Sequence, residues 1–216
     1  MNRRSLPIAT ALTATAVLVL TACGSGGGKT EANDKIAGVD KGSPNPSPSP
    51  SASDSAGRPR VTLPPDFKNV FEDWTTGDRV RDALLADISN RINATDAAIA
   101  SDDAESAAIP FYYKGEALIG ASTWIAKLKS SGLTPTGTSR YFNPKVEMLN
   151  GTSAGVVYCS DEGKAFAKER KTGKIQTTPV TDNSYVTYSI RVDKNQRGVW
   201  QTTQLASKRG DKTCTP

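Results

Sequence analysis

The spacing of apolar residues changes three times along this chain of 216 residues. From Ile8 to Leu20 the sequence is an almost continuous run of apolar and small side chains. Between Gly24 and Arg60 the large apolar residues are Ile36 and Val39 alone, so that stretch has no material for a core. From Val80 the spacing becomes helical: Val80, Leu84, Ile88, Ile92 and Ile99 mark one face, widened by Leu85 and alanines. Asp78 is suited to cap this segment, which predicts a long amphipathic helix to about Ser101. Asp82, Asp87, Arg91 and Asp96 fall mostly off its apolar stripe. A shorter segment continues through Ala108 to Pro110-Phe111-Tyr112-Tyr113. Ser122 to Ser130, with Trp124, Ile125 and Leu128, predicts another helix stopped at Gly132.

After Gly132 the period is two. Tyr141–Leu149 reads as a strand, Asn150-Gly151 as a hairpin signal and Ala154–Cys159 as its return. Ala165–Ala167 and Ile175–Val180 flank a turn at Lys171-Thr172-Gly173. Ser184–Val192 alternates, and Asn195–Gly198 turns the chain into Val199–Ala206. Helices first and a meander afterwards predict an α+β fold, with N-terminal helices packed on a curved antiparallel sheet.

The N-terminus reads as an export signal. Arg3 and Arg4 precede the apolar run, which at about 13 residues is short of the roughly 20 a spanning helix needs. Leu20-Thr21-Ala22-Cys23 resembles a bacterial lipobox, and the resemblance implies cleavage before Cys23 and a diacylglycerol thioether on it. Asn2-Arg3-Arg4-Ser5-Leu6 also resembles a twin-arginine signal, so Sec and twin-arginine export both stay open. The expected organisation is a signal peptide over 1–22, a lipidated cysteine with a Gly/Ser/Pro tether over 23–62, and one domain over 63–216. As a flexible coil the tether spans about 30 to 35 Å, and the alternating prolines Pro44 to Pro50 extend it. The expected location is the outer face of the cytoplasmic membrane, with membrane lipid as partner through Cys23.

Once Cys23 is acylated, Cys159 and Cys214 remain, and outside the membrane such a pair is most simply a disulfide. The formal charge of +5 is unevenly spread: residues 61–116 are net acidic and 117–216 net basic. Nucleic acid is not an expected partner. Lys164, Lys168, Arg170, Lys171 and Lys174 are candidates for binding an anionic wall polymer, against the plainer reading of solvated strand and turn lysines.

The amphipathic helix, the Tyr-rich crossing segment, the short helix and the long strands resemble the NTF2-like cone fold. Gly198-Val199-Trp200 before the last strand is similar to that fold's closing strand. The whole layout resembles surface lipoproteins of high-GC Gram-positive bacteria that carry a lipobox, a tether and a cone domain with a late disulfide. The resemblance implies a cone interior that Tyr112, Tyr113, Trp124, Tyr141, Tyr188 and Trp200 line as a pocket or fill as core. It also implies a homodimer through the sheet.

Other motifs carry little. Gly151-Thr152-Ser153-Ala154-Gly155 matches a nucleophile elbow, but the chain has no histidine and the string begins on a hairpin. Lys171-Thr172-Gly173 lacks the Ser-x-x-Lys partner of penicillin-binding enzymes. Asp102, Asp103 and Glu105 lack the spacing of a calcium loop. No catalytic residue, metal or cofactor is expected. The expected function is a non-catalytic binding or accessory domain facing a wall polymer, a protein or a small ligand. Its alternative is a small-molecule isomerase or dehydratase in the cone pocket, for which Glu147 is the one carboxylate the strand pattern places near.

Overall fold

Asp78 holds an extended conformation (φ −93°, ψ 118°), and its carboxylate accepts from the Val80 and Arg81 N–H groups at 2.9 Å each. The first helix, α1 (Arg79–Ala100), therefore starts where its cap predicts. The computed structural model describes residues 56–101 and 106–216. Cys23, the signal segment and most of the tether lie outside them, as do Asp102, Asp103 and Glu105. Among the described residues no helix is long and apolar enough to cross a membrane.

The fold is α+β. Before α1 comes a short strand, β1 (Phe67–Phe71); after it come α2 (Ala108–Tyr112) and α3 (Gly115–Ser130). The sheet then forms from β2 (Leu133–Asn150), β3 (Ser153–Glu169), β4 (Ile175–Gln176), β5 (Tyr185–Lys194) and β6 (Trp200–Arg209). Its order is β1-β2-β3-β5-β6, with β4 paired to β3. All pairings are antiparallel except β1 with β2, which is parallel and spanned by the three helices.

The expected all-antiparallel sheet is thus corrected by one strand, too short to show alternation. Several boundaries also move. The last helix begins at Gly115, not Ser122. Ala154–Cys159 and Ala165–Ala167 are one strand, and the Ile175–Val180 strand stops at Gln176. β2 is 18 residues long because bulges interrupt its period between Thr138 and Arg140, and again between Phe142 and Lys145. Gly137 permits a close approach there: at φ +92°, a Cβ on it would lie 2.2 Å from the Lys164 carbonyl oxygen.

Two apolar clusters hold α1. Leu84, Leu85 and Ile88 pack with Val156, Tyr158, Val192 and Trp200 on the sheet and with Trp74 between β1 and α1. Farther along, Ala94, Ala98 and Ile99 pack with Ile109, Tyr112 and Ile125 of the shorter helices. Ala56 joins this second cluster, and Arg58 pairs with Asp87 at 2.7 Å. The segment 56–62, assigned to the tether from its composition, is therefore bound to the domain. A small alanine and a salt-bridging arginine lack the large apolar groups that would announce packing.

Cys159 on β3 and Cys214 in the tail form a disulfide across a Cα separation of 5.5 Å, 55 residues apart in sequence. Replacing both by serine shortens no strand but frees the tail. In the chain-entropy picture this costs about 2 to 4 kcal/mol, read as a lower urea midpoint against wild type. Equal midpoints would mean that the bond contributes nothing to stability.

Candidate functional site

Seven residues separate Leu84 from Arg91, which returns a helical side chain almost to the same face. Arg91 consequently points inward and is only 3% exposed. It borders an open cavity of about 1040 Å³ lined by α1, α3 and strands β2, β3, β5 and β6. The space between the helices and the sheet is therefore a pocket, not a filled core.

The guanidinium donates from Nη1 to Tyr113 Oη at 2.8 Å and from Nη2 to Tyr158 Oη at 2.6 Å, and it lies 5.3 Å from the Tyr113 ring centroid. Its Nε has no hydrogen-bond partner among the described residues. Thr95 gives its proton to the Arg91 carbonyl at 3.0 Å, so Tyr113 donates to Thr95 Oγ1 at 2.9 Å. Tyr158 accepts from Arg91, and its own O–H has no acceptor among the described residues. Among the described residues no carboxylate forms an ion pair with Arg91. Asp87, one turn earlier, gives its oxygens to Arg58 and to the Trp200 N–H at 2.9 Å. Burial works against the Arg91 charge, but the oxygens of Tyr113 and Tyr158 outweigh it and hold the pKa above its ordinary range.

Three carboxylates line the cavity: Asp96, Glu162 and the exposed Glu116 at the start of α3. Asp96 accepts from Asn69 Nδ2 at 2.7 Å. Burial pushes its pKa up to about 7; the Asn69 hydrogen bond and the Arg91 charge oppose that rise, while the Glu162 charge adds to it. Glu162 is paired with Arg209 at 2.6 Å. Burial also raises the phenols of Tyr141, Tyr158 and Tyr188, that of Tyr158 to about 12. All three are therefore neutral hydrogen-bond donors or acceptors near neutral pH.

Of the six aromatics singled out in the sequence, Tyr113, Tyr141 and Tyr188 line the cavity, and Trp124 borders it while 50% exposed. Tyr112 and Trp200 are core side chains, each 1% exposed. Their positions beside the helical cluster and the α1–sheet cluster leave no path to the cavity lining. Glu147 is exposed and borders a separate, smaller groove, so the cavity carboxylates are Asp96, Glu116 and Glu162 instead. Arg91, Asp96, Tyr158 and Glu162 were missed as site residues. For Arg91 the signal existed, since it lies two turns beyond Leu84 and directly before Ile92.

The basic set does not converge. Lys168 pairs with Asp66. Arg170 donates to the carbonyls of Ile99, Ala100 and Leu133, closing the C-terminus of α1. Lys164, Lys171 and Lys174 are exposed. Ser153 is 5% exposed and donates to Asp193, which is a structural role.

No family model and no curated protein matches the sequence. Among solved structures, the intermembrane-space region of the chloroplast protein ARC6 is similar at a TM-score of 0.41 and 16% identity. That likeness covers 57% of this chain and 92% of the other.

Asp96 ionises near 7 in the fold, against 3.8 for an unperturbed aspartate. Between those values the folded chain keeps a proton that the unfolded chain has lost. Stability therefore falls as pH rises from about 4 to about 7. Asp96→Asn removes this component, so its melting temperature gains on wild type across that window. Parallel curves for the two proteins would show that Asp96 does not titrate there.

Proposed function

We propose that the protein is a lipid-anchored cell-surface lipoprotein whose NTF2-like domain binds a small molecule without transforming it. The carrying observation is the open cavity with a buried, charged arginine whose donors are not all used. Sites of this kind are concave, mostly apolar and furnished with a few convergent polar groups. The Leu20–Cys23 lipobox supports the anchor, and the Pro-rich stretch beyond it supports display of the domain away from the bilayer. Capture of a wall polymer by the basic residues has less support, because Lys168 and Arg170 are committed to intramolecular partners.

One observation favours a second reading. Asp96, with its pKa near 7, shares the cavity with Tyr141 and Tyr188. A carboxyl group poised near neutrality beside neutral phenols suits proton transfer at a carbon acid, the chemistry of an isomerase or dehydratase.

Two experiments test these readings. Cells fed labelled palmitate should label the wild-type protein and not Cys23→Ser; label in both would remove the anchor from the proposal. An apolar fluorescent probe, anilinonaphthalene sulfonate, should bind the full chain carrying Cys23→Ser. Ala121→Trp, which places an indole in the cavity, should weaken that binding about tenfold or more. Unchanged binding would place the probe elsewhere and end the cavity reading. A ligand recovered from deuterated water with deuterium on carbon, lost in Asp96→Asn, would favour the enzyme.

A further inference from the structure

We infer that the cavity takes an organic anion with an apolar tail, its acidic head seated between Arg91 Nε and the Tyr158 hydroxyl. The inference rests on reading the cavity as a ligand site.

Arg91 supplies the first reason. A buried charge is costly unless paired, and among the described residues this one's side-chain hydrogen bonds go to the hydroxyl oxygens of Tyr113 and Tyr158. The acid best placed by spacing to neutralise it is Asp87, four residues earlier on α1. Arg58 reaches Asp87 from outside the helix, and the Trp200 N–H takes a share of Asp87 as well. Asp87 is thereby occupied, and the charge of Arg91 is left for something that enters the cavity.

The second reason is the unused hydrogen-bonding capacity. Arg91 Nε and the Tyr158 O–H are donors without acceptors among the described residues, and they belong to neighbours joined by the 2.6 Å hydrogen bond from Arg91 Nη2 to Tyr158 Oη. A carboxylate offers two oxygens, one for each donor, and charge-assisted bonds of this type are the strong ones. The cavity's own acids do not compete. Glu162 is held by Arg209, Asp96 is held by Asn69 and keeps its proton through much of the range below neutrality, and Glu116 is exposed to solvent.

The walls supply the third reason. Ile92, Ile99, Ala117, Ala121, Leu128 and Phe166 line the space beyond Arg91. At about 1040 Å³ the cavity is large for the head group of an anion alone. Inorganic phosphate or sulfate would leave those walls in contact with water, whereas a hydrocarbon chain or ring system would cover them.

Three probes of equal chain length separate the possibilities: decanoate, decanol and decylammonium. They are titrated into the full chain carrying Cys23→Ser and followed by calorimetry. Decanoate should bind about tenfold tighter than decanol, and decylammonium more weakly than either. Arg91→Met should abolish the preference for decanoate while decanol still binds. If Arg91→Met does not fold, Tyr158→Phe serves: it should weaken decanoate several-fold and leave decanol unchanged. Ala121→Trp should block decanoate and decanol alike.

Equal binding of decanoate and decanol by wild type would overturn the anion inference and leave the cavity reading standing. Decanoate binding that survives Ala121→Trp would lie outside the cavity and overturn it as well. Failure of all three probes to bind would remove the cavity reading itself.

Discussion

Asp87 is the group on which the arrangement depends. Its carboxylate is fully buried, and it joins three parts of the chain that are remote in sequence. Arg58 reaches it from the segment before β1, the Trp200 N–H reaches it from the start of β6, and α1 carries it. A buried acid held by a cation and a backbone donor is costly to disturb, since removing one partner of such a pair leaves several kcal/mol uncompensated. The pair therefore fixes the azimuth of α1 on the sheet. With Asp87 turned to Arg58 and Trp200, Arg91 one turn later must face the cavity. One ion pair sets both the packing of the helix and the charge of the pocket.

The cavity follows from how α1 divides its contacts. Its first half is covered by the sheet through Leu84, Leu85 and Ile88. Its second half is covered by α2 and α3 through Ala94, Ala98 and Ile99. Arg91, Thr95 and Asp96 lie where neither cover is complete. The sheet contributes by bending. β2 and β3 are long, and the bulges in β2 together with the close contact at Gly137 break the flat pairing that would otherwise bring the strands up against α3. Arg170, returning from the end of β3 to the last carbonyls of α1, fixes the far end of the helix to this sheet.

Local patterns revealed the elements better than their extents. The α1 cap and face were legible because Asp78 and the Leu84-Ile88-Ile92 spacing are strong, short-range signals. The disulfide was legible because Cys159 and Cys214 were the cysteines left once Cys23 was set aside. β1 was not, because five residues paired in parallel need no alternation and no turn signal. The long strands were cut into pieces because bulges shift the inward face by one residue, and a period of two is lost wherever that happens. Three of the six aromatics line the cavity as one reading of them required, and Trp124 stands at its edge. Tyr112 and Trp200 went to the core because side-chain size alone does not distinguish lining from filling. Arg91 was hidden by chemistry: a charged residue inside an apolar stripe is ordinarily placed on its solvated flank, and only the long-range capture of Asp87 by Arg58 reverses that.

A sequence optimised for stability alone would not place an arginine at this position. A leucine there would extend the Leu84-Ile88-Ile92 stripe and avoid the desolvation of a guanidinium. The chain instead keeps the charge, surrounds it with phenols too weakly acidic to neutralise it, and occupies the nearest acid with a second arginine. It also keeps Asp96 where burial holds its proton near neutrality. Each of these features opposes the apolar packing around it, and all of them meet on one cavity wall. Local departures from good packing that converge on a single concave surface are the pattern expected of a functional site, which is what supports the binding role proposed for this cavity. Leucine at position 91 would leave a core of ordinary kind; arginine leaves a buried charge on the cavity wall with the Tyr158 hydroxyl beside it.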